Sequence, residues 1–288
     1  MFLHLLHRTT FVYGGEARDS FNEVRLRPRD DETQSCRQFE LRVSPGGPIR
    51  DYGDFYGNTV HYFDIAAGHD RLVIEAESEV ETVPEAARPG VPAVSLAALM
   101  ASADREMYAE FFTDSRYVPL APQLWREVQD VLAGGREDIW TDACRLGGHV
   151  YGTFAYRPNA TGVSTRATDA LALRAGVCQD FAHVMLGLCR CASIPARYVS
   201  GYFLNFDRRP GEIEASHAWV EVFVPGYGWA AYDPTHDRPA DERYVKVGVG
   251  RDYADICPVS GTYRGAPTNA LNVEVKISSL DALTAVPG

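Results

Sequence analysis

The sequence predicts an α+β protein: an antiparallel β-sandwich first, then a larger unit in which a buried helix packs on an antiparallel sheet. Residues 1–82 run as short β-rich segments separated by turn residues, as in a sandwich. A proline-rich joint follows, with Pro84, Pro89 and Pro92 close together. Beyond it, helical stretches give way to alternating strands that close in a hairpin. The expected division is therefore 1–82 as a sandwich domain, 83–95 as a joint and 96–288 as the main domain.

In the first part, the expected strands are Thr10 to Tyr13, Asn22 to Arg27, Arg37 to Val43, Thr59 to Ile65 and Arg71 to Ala76, with turns at Gly14-Gly15, Pro45-Gly46-Gly47-Pro48 and Gly57-Asn58. After the joint, Ser95 is placed to cap a helix that starts at Leu96. Further helices are expected at 122–133, stopped by Gly134-Gly135, and at 136–152. The segment from Cys178 to Cys191 reads as a buried helix between Gly176 and Ile194-Pro195. Strands are then expected at Arg197 to Phe203, Ser216 to Val224, Gly228 to Tyr232 and Asn269 to Ile277.

Composition narrows the function. The chain has 288 residues, 45% apolar and 23% charged, enough for one large or two ordinary globular domains with a sizeable core. A net charge of −11 argues against nucleic acid or an anionic membrane surface as a partner. No stretch approaches the roughly 18 apolar residues that span a bilayer. The opening Met1 to Arg8 lacks the basic leader and cleavage site of a signal peptide, so a cytoplasmic location is expected. Six cysteines at irregular spacing, with no CxxC pair, predict no disulfide framework.

Cys178 stands out by its position at the start of an apolar helix. There, unpaired N–H groups and the positive end of the helix dipole favour a thiolate. The backbone N–H of Cys178 could also receive an oxyanion, and Gly176 would admit a substrate close to the chain. Position alone fits a buried core cysteine better, since such cysteines are common. Cys189 and Cys191, inside the same helix, are expected to pack.

A base and its orienting partner have candidates on the following hairpin. His217 shares a strand face with Trp219, Glu221 and Phe223, and Asp233 sits at the end of the returning strand. A two-residue Pro225-Gly226 turn would put His217 and Asp233 on opposite faces. A three-residue loop over 224–226 would set them directly opposite, and a bulge or longer loop would also restore the parity. The chemistry needs one face: the imidazole exchanges the thiol proton while the carboxylate holds its tautomer. Taken singly, His217 could be structural and Asp233 a turn residue before Pro234.

Together these stretches resemble the transglutaminase-like superfamily. The resemblance rests on Gly176-Val177-Cys178-Gln179-Asp180-Phe181-Ala182-His183, Ile194 to Tyr202, Ser216-His217-Ala218-Trp219-Val220-Glu221-Val222 and Gly228-Trp229-Ala230-Ala231-Tyr232-Asp233-Pro234-Thr235. The leading β block and the segment Arg251 to Gly261 are more weakly similar to bacterial members. The resemblance implies a papain-like, transglutaminase-like core and a Cys178, His217, Asp233 triad. It also implies attack on a peptide or other amide through a thioester, resolved by water or by an amine.

Animal relatives use calcium, but no EF-hand loop or dense acidic cage is present, so no metal or cofactor is expected. Tyr156 is a candidate second oxyanion donor, with packing as the alternative. Gln179 follows the cysteine and is given no oxyanion role. Asp180 is expected to serve the helix dipole and His183 to be a core histidine. Trp219 and Trp229 are expected to pack the hairpin. Zinc ligation by Cys178, Cys189, Cys191 and His183 is disfavoured, because Cys189 and Cys191 point to different sides of a helix. A binding module that has kept the fold without catalysis is the alternative from outside enzymology.

Overall fold

A computed structural model describes residues 1–206 and 216–280. The first unit consists of β1 (Phe2–Val24), β2 (Gln34–Ser44), β3 (Arg50–Gly53), β4 (Thr59–Ile65) and β5 (His69–Thr82). The joint then leads to α1 (Leu96–Ala101), α2 (Asp104–Met107), α3 (Pro122–Val131) and α4 (Ile139–Thr153). Next come β6 (Ala155–Tyr156), α5 (Ala167–Leu173), β7 (Ala175–Gly176) and α6 (Cys178–Cys191). The chain continues through β8 (Ala196–Phe203), β9 (His217–Val224), β10 (Gly228–Asp233), β11 (Arg238–Pro239), β12 (Tyr244–Gly250), β13 (Val259–Gly265) and β14 (Thr268–Ser279).

The sandwich is one sheet folded over. The first half of β1 lies between β5 and β14, and its second half lies between β4 and β13. Between Val12 and Ala17, β1 carries more residues than β5 opposite it, and such a bulge bends a strand. The halves close on a core that includes Tyr13, Val24, Phe63, Ile65, Leu72 and Ile74. Two expectations change here. Gly14-Gly15 is not a turn between strands: Gly14 N–H donates to Pro267 O (2.9 Å) and Ala266 N–H to Glu16 O (3.0 Å), so pairing carries the strand through. The C-terminal strands, expected within the 96–288 unit, pair instead with β1. They occupy the edge of β1 that β4 and β5 leave open, and an open edge is a liability.

The helical expectations hold with small shifts. Ser95 Oγ accepts from Ala98 N–H (3.2 Å), and Pro122 opens α3. The next helix begins at Ile139 rather than 136, because Asp138 caps it by accepting from Trp140 and Thr141 N–H, both at 3.0 Å. Helix α6 is buried almost throughout. It packs through Phe181, Val184, Met185 and Leu188 into a core shared with Ala218, Val220, Val222 and Tyr232 of the second sheet. That sheet is antiparallel in the order β11-β10-β9-β8-β12.

One face of the first sheet also covers the second. Leu3, Leu5, Val80, Val275 and Ile277 pack on Tyr202, Leu204, Val245 and Val247. Strand β12 is the last of its sheet, and two side-chain amides of the first unit pair with its free backbone groups. Gln34 accepts from Lys246 N–H (2.7 Å) and donates to Lys246 O (2.8 Å). Asn58 does the same at Val249, with both bonds at 2.8 Å. Beneath them Lys246 Nζ lies between Asp31 (2.7 Å) and the buried Glu221 (2.5 Å), which also holds Arg197 (2.6 Å). Among the described residues no helix is long and apolar enough to cross a membrane.

Candidate active site

The site forms where α6, β9 and β10 begin or end near one another. Val177 is the residue before the helix, and its N–H donates to Asp180 Oδ2 (2.8 Å), closing the first turn. Asp180 also accepts from Thr161 Oγ1 (2.6 Å), and burial pushes its carboxyl up. The carboxylate thus serves the helix start, and its burial limits the charge it opposes to a thiolate. Cys178 is the first helical residue, where an N–H has no acceptor within the helix. Gly176 is required beside it, since a Cβ there would lie 2.4 Å from Asp180 Oδ2.

Hairpin register decides whether the histidine and the aspartate meet, and it favours them. Val224 pairs with Gly228 and Val220 with Tyr232, so the loop is Pro225-Gly226-Tyr227. It has three residues, one position later than the 224–226 loop expected, with Gly226 at φ +77° and Gly228 at φ +99°. Parity is preserved, and Asp233 falls opposite Trp219, one step diagonally from His217. His217 Nε2–H donates to Asp233 Oδ2 at 2.7 Å. Cys178 also interacts with His217 through a side-chain hydrogen bond, and with Nε2 committed to Asp233 the nitrogen left for the thiol is Nδ1.

Electrostatics follow from this contact. Burial opposes protonation of His217, but the charge and hydrogen bond of Asp233 outweigh it, and the Cys178 contact adds to them; the imidazole is raised to about 10. Burial also opposes ionisation of Asp233, yet His217 and His236 hold its carboxyl well below the usual range. The two groups form a buried ion pair with excellent geometry.

Asp233 is fully buried and has further donors. Its Oδ2 also accepts from His236 Nδ1 (2.6 Å) and Tyr244 OH (2.8 Å), and its Oδ1 from Thr235 N–H (2.8 Å). Sequence reasoning missed His236 and Tyr244. His236 could have been found from its place three residues after Asp233, whereas Tyr244 arrives from a strand that no local pattern ties to the hairpin. His217, Asp233 and His236 also form a group able to hold a metal ion, their ligand atoms lying within 4.8 Å of one another. A cation there would displace both imidazole–carboxylate hydrogen bonds.

A cleft of about 350 Å³ opens over these groups, lined by Cys178, His217, His236, Tyr156, Phe203 and Thr235. Tyr156 reaches it because the short parallel bridge of β6 and β7 pairs Tyr156 with Gly176, two residues before the cysteine. Other candidates lie elsewhere. His183 is buried against Tyr117 and Tyr198, accepts from Tyr253 N–H (3.2 Å) and is lowered to about 4 by burial. Cys189 and Cys191 belong to the core. Trp219 is buried, and Trp229 packs on Tyr108, Phe111 and Phe223 with Arg197 4.0 Å above its ring. Gln179 Nε2 donates to Val163 O (2.9 Å).

Comparison with known proteins gives the family and the fold. Residues 127–234 match the Transglutaminase-like superfamily, and residues 3–81 match the bacterial transglutaminase-like N-terminal region. An uncharacterized protein of Mycobacterium leprae is 35% identical over 286 residues, covering 96% of this chain and 99% of its own. A protein-glutamine gamma-glutamyltransferase of Pseudomonas aeruginosa is 34% identical over 134 residues, or 40% of this chain and 19% of its own. Among solved structures, a candidate cysteine protease from Cytophaga hutchinsonii has a TM-score of 0.76 at 24% identity, covering 98% of this chain and 91% of that one. At that identity the likeness is one of fold. The chain belongs to the transglutaminase-like superfamily, with the N-terminal region of its bacterial members ahead of the core.

Proposed function

We propose that the protein is a cysteine-dependent amide hydrolase in which Cys178 is the nucleophile, His217 the general base and acid, and Asp233 the group that orients the histidine. The observation that carries this reading is that His217 hydrogen-bonds both the Cys178 thiol and the buried Asp233 carboxylate, while Cys178 and His217 line one cleft. Cys178 Sγ, its proton passed to His217 Nδ1, attacks the carbonyl carbon of a peptide or other amide. The oxyanion is met by the backbone N–H of Cys178, with Tyr156 as the candidate side-chain donor. The C–N bond breaks as the imidazolium protonates the leaving amine, leaving a thioester on Cys178. His217 then takes a proton from water as hydroxide adds to the thioester, and the C–S bond breaks as the imidazolium returns that proton to the Cys178 sulfur, giving acid and free thiol. No metal is needed, since His217 and Asp233, two of the three groups a cation would occupy, are used as base and orienter.

Transamidation by the same thioester is the second reading, favoured by likeness to a protein-glutamine gamma-glutamyltransferase. Intact-mass spectrometry during turnover of an activated acyl substrate tests both. The wild type should show one acyl adduct, on Cys178, which Cys178→Ala lacks. Added primary amine should leave acid as the main product for a hydrolase and divert the acyl group to amide for a transferase. No adduct on Cys178 with any acyl donor, in folded protein, would favour a non-catalytic binding module.

A further inference from the structure

We propose that Tyr244 is a positioning residue for Asp233, and that the N-terminal β unit holds it in place. The proposal rests on the Cys178–His217–Asp233 reading above and assigns the first unit a part in that site. Tyr244 is buried, and its OH donates to the same Asp233 oxygen that receives His217 Nε2–H. That bond spreads the carboxylate's charge over one more donor and fixes the direction of its lone pairs. Both effects bear on how strongly the imidazolium is held.

Tyr244 sits in the segment Ala240 to Lys246, which Gln34 and Thr82 of the first unit, and Glu85 and Arg88 of the joint that follows it, grip along its length. Arg88 Nη1 donates to Ala240 O (3.1 Å), and Thr82 Oγ1 donates to Glu242 O (2.6 Å). Glu85 N–H donates to Glu242 Oε2 (3.0 Å), and Gln34 closes both hydrogen bonds at Lys246. Strand β8 holds the other side, pairing Phe203 with Tyr244. The tyrosine is therefore clamped between the two units. The titratable groups facing Asp233 are His217 from β9, Cys178 from α6 across that ring, His236 from the following turn and Tyr244 itself. The Arg238–Asp241 pair lies beside Tyr244.

The test is the pH dependence of Cys178 alkylation by iodoacetamide, read by peptide mass spectrometry on the full chain. Wild type should show selective labelling of Cys178 with an alkaline limb set by His217. Tyr244→Phe should move that limb upward by about 0.5 to 1 unit, because the carboxylate then has one donor fewer to share its charge. Gln34→Leu should move it in the same direction, and should add nothing in the Tyr244→Phe background. Should Gln34→Leu fail to fold, Thr82→Val, which removes the bond to Glu242 O, carries the same expectation. An unchanged limb in folded Tyr244→Phe overturns the proposal. A shift from Gln34→Leu that adds to that of Tyr244→Phe overturns the role of the N-terminal unit. Absence of selective labelling in the wild type would instead refute the catalytic reading itself.

Discussion

At the scale of residues, the site depends on a single charge relation. Asp233 has no exposed surface and His217 is 9% exposed, so the carboxylate depends on protein donors and only the cleft side of the ring meets water. The pair's contribution to stability has a defined pH window. His217 is raised from 6.5 to about 10, so its share is full below 6.5 and is lost as pH rises through about 10. Asp233 is lowered from 3.8, so its share is present above 3.8 and is lost as pH falls through the lower folded value. Asp233→Asn should therefore cost most stability between those limits, the difference from wild type shrinking as pH approaches 10; urea unfolding across pH measures it. The same substitution should lower turnover by about three to four orders of magnitude, through the wrong imidazole tautomer. Cys178, His217 and Asp233 were all readable as candidates, because helix-start and strand-alternation rules are local. His236 and Tyr244 escaped because a carboxylate's additional donors are set by three-dimensional approach.

At the scale of elements, register and close approach do the positioning. Sequence rules left the hairpin undecided among turns, since Pro225-Gly226-Tyr227-Gly228 suits several. The three-residue loop wins with φ positive at both glycines. Gly201 marks another constraint that local pattern hides. It pairs with His217 across β8 and β9, and a Cβ there would lie 2.0 Å from Val245 O and 2.7 Å from the Trp219 ring. Gly201→Ala should destabilise the fold by about 1–3 kcal/mol, in the range of overpacked cores, by forcing β8 from β12. Chemical unfolding measures that cost, and amide exchange on β12 should rise with it. A substitution without cost would mean the strands separate more easily than their bulged pairing implies.

At the scale of the molecule, the two halves of the chain are interleaved. The early strands were legible from their alternation, but their partners were not: nothing in Asn269 to Ile277 says that it pairs with the first residues of the chain. The boundary between units joins an apolar cluster to a buried polar set. Lys246 sits between Asp31 of the first unit and Glu221 of the second, under the Gln34 and Asn58 amides. Removing one charge from such a buried set leaves the others uncompensated. Lys246→Met should cost about 3–5 kcal/mol and loosen the first unit from the second, seen as lower thermal stability and faster proteolysis at the joint around Pro84 to Pro92. Wild-type stability in that variant would show that Arg197 alone satisfies Glu221.

The central claim, that an imidazole held by Asp233 activates Cys178, is tested most directly by competitive alkylation of the six cysteines with limiting iodoacetamide near neutral pH. Cys178 should react first in the wild type and lose that preference in His217→Ala, while the buried Cys189 and Cys191 stay unmodified in both. Equal or slower labelling of Cys178 than of the half-buried Cys36, Cys144 and Cys257 would contradict it.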